Sequence, residues 1–312
     1  MSFSVLRTSD AWWVSVPTGV RRIDTTATTT AELIADRDAV AAAASGDGDV
    51  VDPATLTLVS PVTAPCRVIA QMTNYASHVR DSGMDPDKVP LTFFRKSSGS
   101  ITGPADDIVK PAHVALLDYE VEIGIVFGQT VPVGSDVDEE LLAEAVAALV
   151  VTNDVSARDV QLPKTQFYEA KSYPTFTPVG PFLALLEEGE WEKFSTLTLQ
   201  LRVNGVTRQN STVADMIYPP LETLRALTRF QRVDAGDLLL TGTPGGTALT
   251  APPKPVEIIG SLLPSHVKWK VFFKRQAGNP KYLRDGDVVE TSIAAGDGTL
   301  DLGTQRNVVR YA

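Results

Sequence analysis

From Arg67 onward the chain is a succession of short apolar runs broken by Gly and Pro. Residues 67–71, 116–127, 147–155, 197–204, 237–241 and 286–293 read as strands, with another at 267–273. Helical spacing is rarer: it predicts a short helix near 75–82, one at 137–148 and one at 220–229. Ahead of Arg67 the pattern differs. Trp12–Val16 reads as a strand, and Thr30 is placed to cap a helix through about Ala44, with Leu33, Ile34 and Val40 on its apolar side. The run ASGDGDVVDP (44–53) is a loop, and Pro61 and Pro65 mark the passage into the next unit. Residues 1–62 are therefore expected to form a small accessory domain and 63–312 the main one. Regular βαβ alternation is missing, so the expected fold class is α+β and β-rich, not a doubly wound sheet.

Composition narrows the partners more than the fold. The 312 residues carry a formal net charge of -10. A field of that sign repels phosphate backbones and anionic lipid, so neither nucleic acid nor a membrane is an expected partner. An anionic substrate would need a bound cation, or locally placed Lys and Arg, to reverse the sign. The single cysteine, Cys66, rules out an intramolecular disulfide and thiol-rich metal sites. His78, His113 and His266 are too few for a histidine-rich zinc centre, which leaves oxygen ligands for any metal. The first residues form no secretory signal and no apolar run nears the ~20 residues that span a bilayer, so a cytoplasmic location is expected.

The run LLDYEVEIGIVFG (116–128) carries the first chemistry. On a strand Asp118, Glu120 and Glu122 project together, opposite Leu117, Tyr119, Val121 and Ile123. Carboxylates two residues apart lie ~7 Å from one another. At an effective dielectric of 20 each pair repels by about 2 kcal/mol. Either that face lies in water, where screening tolerates it, or something offsets the repulsion. A second acidic segment, VVTNDVSARDVQ (150–161), tips the balance: Asp154 stands at the end of an apolar strand and before a polar loop. Two Glu from one strand and an Asp from another supply three hard oxygens. That set suits Mg²⁺ or Mn²⁺ and leaves roughly three of six positions to water or substrate.

These two segments do not stand alone. NYASH (74–78), LTFFRKSS (91–98), DYEVEIGIVFG (118–128), NDVSARDVQ (153–161), KSYPTFTPVGP (171–181) and GDLLLTGTP (236–244) follow in order. Together, over about residues 62–312, they resemble the fumarylacetoacetate hydrolase family. The resemblance implies a mixed β-sandwich roll, a homodimer, and Mg²⁺ or Mn²⁺ held by Glu120, Glu122 and Asp154. It also implies a small 2-oxo acid or β-diketo acid substrate, undergoing C–C hydrolysis, decarboxylation or tautomerisation.

Individual roles follow from the matching positions. Lys171, on an expected lid, would donate to a developing oxyanion or enolate, and Lys96 would hold a substrate oxygen unless its neighbour Arg95 does so. His78 is the expected general base, since a pKa near 6.5 suits proton removal at neutral pH. Asp81, three residues on along a helix, would orient its imidazole, although relatives often carry Glu there. Arg158 and Gln161 would bind the substrate carboxylate or the attacking water, with a structural ion pair as the equal alternative for Arg158. Thr243 would offer its hydroxyl and N–H to that carboxylate, or simply shape a turn. His113 and His266 are expected to be surface or packing residues.

Three departures from the family pattern stand out. Pro174 replaces a usual Asp, GGTALTAPP replaces the usual continuation after TGTP, and residues 247–283 hold an extra segment. That segment bears Lys254, Lys268, Lys270, Lys274, Arg275 and Lys281, and would either shape the distal substrate pocket or enlarge a dimer contact. The activity expected is cleavage of a C–C bond in an acylpyruvate-like 2,4-dioxo acid. The alternatives are a decarboxylase or tautomerase of an oxaloacetate-type diacid, and a catalytically silent metal-binding protein.

Overall fold

The computed structural model describes residues 2–165, 167–252 and 262–312, apart from the side chain of His266; Lys254 lies outside the described residues. Its centre is a ten-stranded sheet. The order is Val50–Val51, Gly19–Arg22, Trp12–Val16, Phe3–Arg7, Leu183–Leu185, Val146–Asn153, Val121–Phe127, Leu238–Leu240, Val68–Met72 and Thr92–Lys96. Leu238–Leu240 and Val68–Met72 pair in parallel, and the other neighbours are antiparallel. The four N-terminal strands join this sheet through Phe3–Arg7, which pairs with Leu183–Leu185.

A second sheet of five strands, Val206–Thr212, Leu197–Val203, Val288–Ala295, Asp301–Tyr311 and Ile108–Lys110, stacks on one face. There Ile123, Ile125, Leu149 and Val151 meet Leu199, Leu201, Ile293 and Leu302 in one apolar cluster. On the opposite face Val126, Val150, Leu238 and Leu240 pack with Leu33, Ile34 and Val40. Both faces of the central strands are thus covered, which is why every residue of Val121–Phe127 is buried and the run is so apolar. The expected strand-rich α+β sandwich is the fold that forms, with no closed barrel.

Several local readings need correction. The segment 267–273 is not a strand but part of a helix, Ser265–Gln276. Val267, Trp269, Val271 and Phe273 fall at every second position and mimic a strand. Trp269, Phe272, Phe273 and Gln276 also fall at i, i+3, i+4 and i+7, and their ring contacts make that the face that forms. The helix expected from Thr30 is two, Thr30–Ala35 and Arg37–Ser45, broken at Asp36. Its cap is Thr29, in a capping box with Glu32. Residues 158–164, read as loop, form a helix whose Asp159 accepts from the Ala115 and Leu116 N–H groups at 2.9 and 3.1 Å. Among the described residues no helix is long and apolar enough to cross a membrane.

Candidate active site

The acidic cluster comes from a break in one strand. Leu117–Asp118 pairs with Ser156–Ala157, whereas Val121–Phe127 pairs with Val146–Asn153. Asn153 closes the gap by accepting from the Glu120 N–H (2.9 Å), and the Asp154 N–H donates to the Glu120 carbonyl (2.8 Å). One carboxylate oxygen each from Glu120, Glu122 and Asp154 then lie within 4.8 Å of one another. A water-facing sheet is excluded, because Glu120, the most exposed of the three, is only 4% exposed.

Buried charge must be paired. Lys171, at the end of the short helix Phe167–Lys171, donates to Glu120 Oε2 and Asp154 Oδ2, both at 2.5 Å. Burial works to lower its pKa, but Asp154 and Glu120 outweigh that and hold it raised. Arg158 donates to Asp118 (2.8 Å), to Glu120 and to the Gln161 amide oxygen (2.9 Å). It thus makes the structural ion pair that was the alternative to a substrate contact, with Glu120 and Asp118. Burial alone would raise the Glu120 pKa, yet Arg158 and Lys171 hold it well below the usual carboxylate range.

Lys96 also pairs with Asp154, so the four buried carboxylates Asp118, Glu120, Glu122 and Asp154 face three cations, and the unbalanced charge falls on Glu122. Burial, then Asp154 and Glu120, push its carboxyl well above the usual range. Among the described residues its carboxylate receives one hydrogen bond, from the Gly242 N–H (2.7 Å). Gly242 has φ +85°, and a Cβ there would stand 2.8 Å from that of Asn74, so the TGTP turn needs glycine at this point.

The cluster forms one end of a cavity of about 1690 Å³. Glu120, Glu122, Asp154, Arg158, Gln161, Lys171, His78 and Thr243 all line it, so the structure gathers most of the residues singled out by sequence. His78 is half-buried, its Nδ1 has no hydrogen-bond partner among the described residues, and burial lowers its pKa so that the neutral imidazole prevails at pH 7. The expected pairing with Asp81 does not form. Asp81 Oδ2 accepts from the Gly246 N–H (2.9 Å), tying its helix to the segment after TGTP. Lys96 stands behind the cluster, donating to Asp154 and to the Phe176 carbonyl (2.9 Å), and does not line the cavity. Arg95 is exposed on the other side of that strand.

The Thr243 hydroxyl donates to the Val121 carbonyl (2.9 Å) and accepts from Gln209 (2.8 Å), so only its backbone N–H is left to face a ligand. His113 is exposed, within 2.8 Å of the Tyr173 hydroxyl. Sequence reasoning gave no role to Asp118, which besides Arg158 also accepts from the Ala248 N–H (2.8 Å). Its place in the D-x-E-x-E alternation was the available signal. Phe94, whose ring centroid lies 5.3 Å from Lys171 Nζ, was also passed over.

A strand-rich sandwich with buried carboxylates, Lys171 and Arg158 lining a large cavity is the architecture of a small-molecule site, with three carboxylates that could hold a metal ion. The profile of the fumarylacetoacetate (FAA) hydrolase C-terminal family matches residues 67–310, and the chain belongs to that family. A Burkholderia ambifaria protein named only as a hydrolase is 36% identical over 214 residues, covering 66% of this chain and 74% of that protein. Among solved structures, a probable 2-hydroxyhepta-2,4-diene-1,7-dioate isomerase from Mycobacterium abscessus aligns with TM-score 0.76 and 29% identity. That alignment covers 100% of this chain and 99% of that one. A fumarylacetoacetate hydrolase from Exiguobacterium antarcticum aligns with TM-score 0.70 and 26% identity over 100% of both chains.

Proposed function

We propose that the protein is a divalent-metal-dependent hydrolase that cleaves a C–C bond in acylpyruvate-like 2,4-dioxo acids, with Mg²⁺ or Mn²⁺ held by Glu120, Glu122 and Asp154. The convergence of these carboxylates on a cavity shared with His78 carries the reading. The donor set fits such an ion: three hard oxygens, no thiolate, and an excess of negative charge centred on Glu122. When bound, the cation supplies positive charge to the carboxylate and 2-oxo oxygen of the substrate.

The chain's own residues account for the rest. His78, neutral at pH 7, takes a proton from water as the water oxygen adds to the C4 carbonyl. The C3–C4 bond then breaks, its electron pair moves to C3, and the charge spreads onto the 2-oxo oxygen as an enolate. Return of a proton to C3 gives a pyruvate-type acid, and the acyl group leaves as a carboxylic acid. Two of the three Lys171 N–H donors serve Glu120 and Asp154, and the third is available to the developing oxygen charge. Gln161 and the Thr243 N–H are the neutral donors for the substrate carboxylate. Arg158 acts through Glu120, fixing it in place.

A second reading, isomerisation or decarboxylation of a 2-oxo diacid, is favoured by the name of the Mycobacterium abscessus relative and by the missing His78–Asp81 bond. Turnover of acylpyruvates and of oxaloacetate, each with Mg²⁺ and with chelator, separates the two. For the hydrolase, His78→Ala lowers cleavage by about 10²–10⁴-fold. Cleavage within a few-fold of wild type in that variant rejects His78 as the base, and turnover of the diacid alone moves the assignment to the second reading.

A further inference from the structure

The extra segment after TGTP does not stand apart from the site. Its helix, Ser265–Gln276, sends Trp269, Phe272 and the buried Gln276 into the wall of the cavity that ends at the carboxylates. Trp269 and Phe272 are 5.8 Å apart, and Phe273 stacks on Trp269 at 5.6 Å, so the helix presents an ordered aromatic group. A second aromatic group lines the same cavity, with Phe94 and Phe167 edge to face at 5.2 Å. Because Phe94 also sits 5.3 Å from Lys171 Nζ, apolar wall begins where the charged cluster ends.

Size points the same way. Drug-sized ligands occupy roughly 300–1,000 Å³, and this cavity, at about 1690 Å³, is larger than a short 2-oxo acid needs. Beyond the cluster, the cations that line it are Lys88, Lys268 and Arg275. Lys88 is paired with Asp85 at 2.9 Å, while Lys268 and Arg275 are exposed on the helix, where a solvated charge adds little. No buried cation waits among the described lining residues for a second carboxylate.

We propose that the site takes 2-oxo acids bearing a long alkyl or aryl substituent distal to the carboxylate, lodged against Phe94, Phe167, Trp269 and Phe272, in preference to short dicarboxylates. This rests on the metal-dependent capture of the 2-oxo acid end proposed above.

Calorimetric titration of the full chain with pyruvate, 2-oxohexanoate, 2-oxooctanoate, 4-phenyl-2-oxobutanoate and 2-oxoadipate, each with Mg²⁺ and with chelator, tests it. Affinity should rise by up to about fourfold per added methylene. The aryl acid should rank with the long alkyl acids, and 2-oxoadipate should bind at least tenfold more weakly than 2-oxohexanoate. In Phe272→Ala, or Trp269→Leu should the first not fold, the gain per methylene should shrink to less than about twofold. Mg²⁺-dependent binding with a flat series, or with 2-oxoadipate the tightest, overturns this inference and leaves the head-group reading standing. Binding that ignores Mg²⁺, or no binding by any of the acids, overturns the head-group reading and the inference with it.

Discussion

The two ends of the cavity are built on opposite principles. At the carboxylate end, every charged group is buried and all but Glu122 are paired with an opposite charge, and the backbone of two adjacent strands fixes the spacing. At the far end, one helix supplies aromatic side chains that pack on one another, Phe273 also against the core, with Lys268, Lys270, Val271, Lys274 and Arg275 exposed. A charge cluster in low dielectric tolerates almost no change, because removing one partner strands another. An aromatic group on a half-exposed helix tolerates exchange at small cost. The first design suits chemistry that must not vary, the second a selectivity that can.

Substitution should expose this contrast most sharply at Asp154. Asp154→Asn neutralises one of the three carboxylates, replaces one of its oxygens with an amide nitrogen and removes the negative charge that both Lys96 and Lys171 face. Turnover should fall by about 10³-fold or more, and the rise in melting temperature with Mn²⁺ should vanish while circular dichroism still reports a folded sheet. Retained turnover would remove the metal from the account. Next comes Lys171→Met, which leaves Glu120 and Asp154 uncompensated at buried positions. It should cost about 3–5 kcal/mol in denaturant unfolding of the metal-free protein, and kcat should drop more than KM rises. A pure KM effect would deny Lys171 a part in stabilising developing charge.

A smaller effect separates Glu122 from its neighbours by pH. Its folded pKa lies above the ordinary glutamate value of 4.5, so in that window the folded, metal-free chain binds a proton that the unfolded chain has lost. The contribution of Glu122 to stability therefore declines as pH rises from about 4.5 towards the raised value. Glu122→Gln should abolish that decline and make the metal-free protein more stable than wild type at pH 8. Glu120, with a lowered pKa, works in the opposite sense and loses its contribution as pH falls below the ordinary range. Melting curves of both proteins from pH 5 to 8, in chelator, read the difference; parallel curves would contradict the assigned direction. The smallest effect belongs to the far end. Phe272→Ala should change unfolding stability by no more than about 1 kcal/mol, since the residue is half-exposed on a surface helix.

The same contrast explains what the sequence could say. Glu120, Glu122 and Asp154 were legible because alternation and strand ends are local patterns, and their convergence needs only two neighbouring strands. Lys171 and His78 entered through motif resemblance, and the structure brings both to the cavity. Asp81 and Lys96 were legible as residues but not as contacts. Whether a carboxylate turns to an imidazole three residues away or to the Gly246 N–H depends on the docking of a distant turn. Lys96 is hidden behind Asp154 by strand register that no local pattern records. The segment 267–273 misled because its apolar residues fall on two overlapping patterns, a period of two through Val267, Trp269, Val271 and Phe273 and a helical stripe through Trp269, Phe272 and Phe273, and packing of the aromatic rings decides between them.

Calorimetric titration of chelator-stripped protein with Mn²⁺ near pH 7, repeated in two buffers of different ionisation enthalpy, tests the central claim most directly. One ion per chain should bind saturably, with proton release that grows as the pH is lowered, in the direction set by the raised Glu122 pKa, and Asp154→Asn should bind none. Heat indistinguishable from dilution in the wild type, or equal binding in the variant, would contradict it.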